Sequence, residues 1–163
     1  MESLETGVNS YVSVKRADAY VKARYAGHDI WAAWNALPEP AKVAALIAAC
    51  AELDMLPFIG HKRSRNQALM FPRYPGCELV PEEIAAAQIE IALIPYDAAT
   101  RRLIASRDRR AGLISQGVKA YSIGRLSETL AGGRSPWAGL GFMVSPKIAR
   151  LVDPWLKGGY MVC

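Results

Sequence analysis

Residues 40–55 read PAKVAALIAACAELDM and contain the longest apolar stretch of the chain, Val43 to Ala51. The larger apolar side chains recur at intervals of three and four residues, which is the period of a helix with one buried face. Pro40 is compatible with a first helical turn, because its missing N–H would have no partner there. Pro57 and Gly60 favour an end to the helix. The pattern predicts a helix over about 40–55 with the core residues Val43, Leu46, Ile47, Cys50 and Leu53.

A similar period precedes this segment. Ser13 is a suitable N-cap for a helix over about 14–25, on which apolar residues form a single stripe. Residues 1–12 show no helical period and are expected to form an extended arm. The predicted core positions of this part are Val14, Ala17, Val21 and Tyr25, together with Trp31 and Trp34.

A third helix is predicted to begin at Pro81, with two glutamates in its first turn, where carboxylates interact favourably with the helix dipole. Proline inside a helix removes one hydrogen bond, so we expect a kink or a restart at Pro95. Asp97 would then cap a continuation to about residue 106. The inward residues of the third helix are Ile84, Ala87, Ile91 and Ile94.

The remaining segments are less regular. Residues 57–80 are expected to form an irregular connection, and a loop this long inside a compact domain is usually functional. Residues 113–130 contain β-forming residues around two glycines and predict a two-stranded hairpin, which needs a packing partner to be stable in water. A short last helix is expected over about 145–156. The predicted fold class is mainly α: a small bundle of three to four main helices, with a β-hairpin arm and a short C-terminal helix.

Composition limits the possible functions. The chain has 163 residues, which is the size of one domain, and 52% of them are hydrophobic. The net charge of +5 favours acidic partners, with nucleic acid among them. The longest apolar stretch is about half the roughly 20 residues that a membrane span needs. The acidic N-terminus, Met1 to Glu5, predicts no signal peptide.

No set of catalytic, cofactor-binding or metal-binding residues is apparent. The two histidines, His28 and His61, have no neighbours that suggest a catalytic triad, and no glycine-rich phosphate loop is present. The three cysteines include no CxxC pair, which argues against a zinc site and, with their odd number, against a disulfide framework. Cys50 lies on a core stripe and is expected to be an inert buried thiol. We therefore expect a non-enzymatic protein without a cofactor.

An ordered series of short motifs extends over most of the chain. The first is GVNSYVSV at 7–14, followed by ADAY at 17–20 and the two tryptophans. In this order the chain resembles a family of tailed-bacteriophage head–tail adaptor, or connector, proteins, whose relatives are often labelled DnaT-like single-stranded DNA-binding proteins. Further matching motifs are QAL at 67–69, FPR at 71–73, the positions Pro81, Ile84, Ala87 and Glu90, GVK at 117–119, and Pro146, Ile148 and Leu151.

The resemblance implies a virion protein of the phage neck, made in the cytoplasm of the host bacterium. It implies a homo-oligomeric ring of about twelve copies, because head-to-tail contacts close into rings. The ring would lie under the portal protein, extend the DNA channel and carry the stopper or tail-completion protein. Contact with the packaged double-stranded DNA would be non-specific and salt-sensitive. The alternative is a single-stranded DNA-binding protein of DnaT-like type, although such proteins combine a basic groove with stacking aromatics and most aromatics here lie apart from the basic clusters.

On this reading residues 1–163 form a single adaptor domain: an arm at 1–12, a helical core at 13–106, a hairpin at 113–130 and a C-terminal docking segment at 131–163. The residues of the first basic cluster would line the DNA channel, or would simply be solvated charges on a loop: Lys62, Arg63 and Arg65. A denser cluster near a helix end would contact a neighbour, contact DNA, or only favour the helix dipole: Arg101, Arg102, Arg107, Arg109 and Arg110. The residues expected to dock on the portal or a neighbour, or else to close over the chain's own core, are Trp137, Phe142, Ile148, Leu151, Trp155 and Tyr160.

Overall fold

The computed structural model describes residues 3–116, 120–123, 126–129 and 141–156. It confirms the predicted class, a helical bundle with a β-hairpin. The helices are α1 (Val14–Tyr25), α2 (Asp29–Asn35), α3 (Glu39–Asp54), α4 (Glu82–Ala92), α5 (Ala98–Ser115) and α6 (Pro146–Val152). Two antiparallel pairs of strands accompany them: β1 (His61–Lys62) with β2 (Arg73–Tyr74), and β3 (Ala120–Ile123) with β4 (Leu126–Thr129).

Helix α4 lies at the centre of the core. All its residues from Ile84 to Ala92 are buried except Ala86, and α3 and α6 pack against it. Helix α3 contributes the buried residues Leu46, Cys50 and Leu53, as predicted. The predicted core positions Val43 and Ile47 are only half-buried, because the side of α3 that carries them borders a groove instead of a neighbouring helix.

The first residues are better anchored than an extended arm would be. Ser10, Tyr11 and Val12 are buried in the core. The Tyr11 N–H donates to Gln88 Oε1 at 2.9 Å, and Gln88 Nε2 donates to Ser10 Oγ at 2.8 Å and to the Leu46 carbonyl at 2.7 Å. The assignment of 1–12 as an arm outside the core is therefore wrong for residues 10–12, since buried polar groups fix them to α3 and α4.

The break after α4 is confirmed. A 3-10 helix (Ile94–Tyr96) contains Pro95, and Asp97 Oδ1 then accepts from the N–H groups of Ala99 at 3.0 Å and Thr100 at 3.1 Å. Helix α5, however, extends to Ser115 and not to about 106. Arginine and alanine are good helix formers, and one glycine, Gly112, costs only about 1 kcal/mol in a helix. Residues 113–115 are therefore helical, and the described strands of the predicted hairpin are 120–123 and 126–129.

The C-terminal helix lies where it was expected. A 3-10 helix (Gly141–Val144), α6 and a further 3-10 helix (Asp153–Trp155) follow one another. Leu156 forms a bridge with Phe58, and the Ile59 N–H donates to the Trp155 carbonyl at 2.9 Å. This end of the described chain therefore closes over the connection between α3 and α4. Within the described residues, no helix combines the length and apolar character of a bilayer span.

The cysteines correct one expectation. Cys77 is disulfide-bonded, although the odd number of cysteines had argued against a disulfide. Cys50 is the buried free thiol that its position on the core stripe predicted. Burial and the nearby charge of Asp54 raise the pKa of the Cys50 thiol to about 12, so it remains protonated and unreactive at neutral pH.

Candidate assembly and nucleic-acid surfaces

A buried carboxylate, Glu90, connects four parts of the bundle. The hydroxyl of Tyr20 donates to Glu90 Oε1 at 2.9 Å and that of Tyr25 donates to Oε2 at 2.7 Å, so α1 is tied to α4. Lys147 of α6 lies 3.8 Å from Glu90 Oε2 and 2.7 Å from Asp97 Oδ2 at the start of α5. Arg24 completes the set at 3.1 Å from Glu90 Oε1.

The electrostatics of this network favour a structural role. Burial, together with the charge of Glu90, raises the pKa of Tyr20, and burial with the Glu90 hydrogen bond raises that of Tyr25. Burial alone would raise the pKa of Asp97, but the hydrogen bonds from Lys147 and Thr100 outweigh it and hold that pKa below its usual value. The pKa of each tyrosine is raised and that of Asp97 is lowered, so these three groups are not poised to exchange a proton at neutral pH.

A second buried polar cluster orders the connection between α3 and α4. The guanidinium of Arg73 is buried and donates to four backbone carbonyls, those of Phe58, Ile59, Gly60 and Met70. Its charge also lies 6.0 Å from the centre of the Phe58 ring. A planar fork of donors suits several carbonyls at once, so Arg73 fixes the loop around itself.

Tyr11 fixes the same loop from the other side. Its hydroxyl is hydrogen-bonded to Asp54 and accepts from the N–H groups of Met70 at 3.1 Å and Phe71 at 3.2 Å. The long connection expected to be an irregular functional loop is therefore held by buried side chains at both ends.

The three channel candidates on this connection differ from one another. Lys62 Nζ donates to the carbonyls of Gln67 at 3.1 Å and Ala68 at 2.9 Å, so it fixes the loop conformation. Arg63 is exposed and lies 3.5 Å from Glu78, which is also exposed. Arg65 is exposed as well. Arg63 and Arg65 are therefore the members of this cluster that can meet an external anion.

An aromatic pair lies on the same hairpin. Strand pairing sets His61 opposite Tyr74, and their ring centres are 5.4 Å apart. Tyr74 is 58% exposed. Sequence reasoning separated the aromatic residues from the basic ones, and it missed this pair because two-residue strands eleven positions apart leave no periodic signal. The structure thus places an exposed aromatic ring on the two-stranded hairpin that leads into Arg63.

The five arginines of α5 do not cluster at one helix end, as had been expected, but extend from Arg101 in its first turn to Arg110, five residues before its end. Arg107 is half-buried on the side of α5 that faces the 3-10 helix 141–144. It lies so close to Gly141 that a Cβ added at that glycine would be 3.3 Å from Arg107 Nη1. Arg102 and Arg109, seven residues apart, lie on the opposite face and are exposed. Arg101 and Arg110 are also exposed.

Helix α5 as a whole is poorly covered. Of its residues whose burial is described, Thr100 alone is fully buried, and Leu103 is 43% exposed. Its main contacts with the rest of the described chain are with the short 3-10 helices at 94–96 and 141–144. Among the described residues, α5 therefore lacks the continuous buried stripe by which a surface helix normally packs on its own core.

The predicted docking residues divide into two groups. Phe142, Ile148 and Trp155 are buried in the chain's own core, so their assignment to the portal or a neighbour is corrected in favour of the alternative, core packing. Leu151 is half-buried and packs against that core. Trp137 and Tyr160 lie outside the described residues.

Helix α3 has an uncovered apolar face that the sequence did not reveal. Ala44, Ala48, Ala51 and Met55 follow one another at intervals of three and four residues, and all are exposed, Met55 to 69%. A groove of about 850 Å³ borders one side of the face, between α3, the start of α1 and Leu4. A second groove, of about 380 Å³, borders the other side, and Ile104 of α5 lines it. The two exposed charges of α3 are both acidic, Glu39 and Glu52.

The described part of the chain holds no cluster of three or more metal-binding side chains. A family model described as "Putative DnaT-like ssDNA binding protein" matches residues 3–161. Neither the curated proteins nor the solved structures include a significant match to the chain.

Proposed function

Given that this chain belongs to the DnaT-like family, we propose that it is a structural assembly protein: a head–tail adaptor of a tailed phage or prophage. Its copies form a ring of about twelve under the portal, extend the DNA channel and provide the platform for the stopper or tail-completion protein. The protein is made in the host cytoplasm and resides in the neck of the virion. It has no enzymatic activity and does not enter a membrane.

The observation that carries this proposal is the state of α5. Of the described residues of this 18-residue helix, one is fully buried. In proteins most of the stability of a helix comes from packing of one face, so contacts beyond the single chain would stabilise α5. The exposed face of α3 is a second surface of the same kind. Two such unlike surfaces on one chain suit repeated head-to-tail association.

The electrostatics suit a DNA channel. A net charge of +5 on each copy adds up around a ring, and exposed arginines on α5 and at residues 63 and 65 supply it without a specific base-reading motif. Such contacts bind phosphate in any sequence and weaken as salt rises. A channel needs this property, because DNA must move through it.

The test is electron microscopy of the purified protein mixed with portal rings. The proposal predicts an added ring of density on the portal face that carries the tail. A protein that stays monomeric alone, and that also fails to bind portal rings or DNA-filled heads, would contradict it.

Single-stranded DNA binding is the second candidate function, and two observations favour it. One is the description of the family. The other is the exposed Tyr74 ring beside His61, on the hairpin that leads into Arg63. Proteins that bind single strands stack bases on aromatic rings within a basic surface.

Substitution of Tyr74 separates the two functions. If the hairpin binds single strands, Tyr74→Ala weakens the binding of an oligonucleotide roughly 10-fold or more, since stacking contributes about 1–3 kcal/mol per base. Tyr74→Phe keeps the ring and serves as the matched control, with unchanged affinity. A fluorescence anisotropy titration at two salt concentrations measures both. If the wild-type protein does not bind at low salt, this candidate is eliminated.

A further inference from the structure

The exposed face of α3 is an apolar surface that the described chain leaves uncovered. From Ala44 to Met55 it extends for about 16 Å, at 1.5 Å per residue, without a charged side chain at its centre. An exposed helix face is normally charged or polar, and contiguous apolar surface on a soluble protein marks a site of interaction. The small side chains would allow another helix to approach closely, and the bordering grooves have room for its larger residues.

Helix α5 has the properties of that occupant. Most of its described residues are exposed, and it presents Leu103 as an apolar side chain on a surface whose exposed charges are mostly basic. The exposed charges on α3 are acidic and most of those on α5 are basic, so the two helices complement each other in charge. The two surfaces are different parts of the chain, so their contact is heterologous and can repeat from copy to copy.

We propose that α5 of one copy packs on the α3 face of the next copy, with Leu103 against the stripe formed by Ala44, Ala48, Ala51 and Met55. This inference rests on the proposed assembly function and specifies its subunit contact. The occupant is a second copy of this chain, and Glu52 at the edge of the stripe pairs with an arginine of the incoming α5. The buried core is not altered by the contact.

Two substitutions block the contact from opposite sides. Ala48→Arg puts a long charged side chain in the stripe, and Leu103→Glu puts a carboxylate on the incoming helix. Each has a matched control on an exposed surface outside the contact: Ala19→Arg on α1 and Leu79→Glu on the connection before α4. At a concentration at which the wild type is monomeric, circular dichroism is expected to show an unchanged melting temperature for all four, because every position is exposed.

Sedimentation velocity measures the outcome. The wild type and both controls assemble, whereas Ala48→Arg and Leu103→Glu remain monomeric at concentrations at least 10-fold higher. An equimolar mixture of the two blocked variants then forms a pair and no larger species. The first variant retains an intact α5 and the second an intact α3 face, so one productive contact is possible and a second is not.

The inference is overturned if either blocked variant assembles like the wild type, or if the mixture stays monomeric. It is also overturned if the wild type stays monomeric at every concentration. In that case, binding of the monomer to portal rings would leave the adaptor proposal intact. Assembly of the wild type, the controls and both blocked variants alike would preserve a ring but place its contact elsewhere.

Discussion

At the scale of single residues, Glu90 is the charge on which the packing of the bundle depends. It is buried, and it accepts hydrogen bonds from two tyrosines of α1 while lying near Lys147 of α6. Removing one member of a group of interacting buried charges is destabilising, because the remaining members are left without a partner. Glu90→Gln keeps the shape but removes the charge, so we expect a loss of about 1–3 kcal/mol in the free energy of unfolding.

Urea unfolding followed by circular dichroism measures that loss. Glu83→Gln is the control, because Glu83 is exposed in the first turn of the same helix and its change is expected to stay within about 0.5 kcal/mol. Equal stability of the two variants would show that the Glu90 network contributes nothing to the fold.

The carboxyl group of Asp97 makes the stability of the fold depend on pH. Burial raises the pKa of Asp97, but the hydrogen bonds from Lys147 and Thr100 lower it by a larger amount. In the folded chain this pKa therefore lies below its ordinary value. A depressed carboxyl pKa contributes stability that is fully present above the unfolded value of about 4 and is lost as the pH falls through the folded value.

Asp97→Asn is expected to cost about 1–2 kcal/mol at pH 7, because the Lys147 pair and part of the α5 cap are lost. The difference from the wild type is expected to shrink as the pH falls below 4. Thermal melts between pH 2 and pH 7 measure this trend. A difference that stays constant over the whole range would exclude the ion pair as its cause.

At the scale of elements, the residues that carry the family resemblance turn out to serve the fold. Ser10 and Tyr11 of the first motif make buried hydrogen bonds to α3, α4 and the connection. Gln67 donates to the Leu69 and Pro72 carbonyls, and Arg73 to four others. The ordered motifs thus describe a scaffold, and they carry little information about the surfaces that bind partners.

Substitution of Arg73 tests how much its hydrogen bonds to the connection between α3 and α4 stabilise the fold. Arg73→Lys preserves the charge but cannot reach four carbonyls in one plane, so buried acceptors lose their donors. We expect a loss of about 2–4 kcal/mol in the free energy of unfolding. Arg65→Lys, an exposed change in the same connection, is expected to stay within about 0.5 kcal/mol. If the Arg73→Lys variant and the wild type had the same free energy of unfolding in urea, this result would contradict the proposed role of the four Arg73 hydrogen bonds.

The same elements show why some predictions succeeded. Helices α1 and α3 each have a buried face that the local period located, and α4 was located although nearly all of its residues from Ile84 to Ala92 are buried. Asp97 after Pro95 gave the restart of α5 in the same way. The end of α5 was missed, because Gly112 and the run of arginines resemble a loop in sequence, whereas helix propensity there is high. The β1–β2 pair and the buried residues 10–12 depend on contacts between distant residues, and no local pattern encodes those.

At the scale of the whole molecule, the candidate surfaces could be predicted only in part. The arginines of α5 were identified from the sequence, but their spread along an extended α5 was not. The exposed face of α3 was not predicted, because sequence periodicity predicts which side of a helix is buried and does not show that the opposite side is apolar as well as exposed. The described residues therefore contain two uncovered surfaces of complementary charge, and a core in which the Ser145 hydroxyl and the Trp155 indole N–H lack hydrogen-bond partners.

The most direct measurement of the central claim is a cryo-electron microscopy reconstruction of the neck of particles that carry this protein. The account predicts a closed ring of copies directly below the portal, around the DNA, with α5 of each copy against α3 of the next. A reconstruction in which the chain lies elsewhere in the particle, or in which the neck lacks it altogether, would contradict the account.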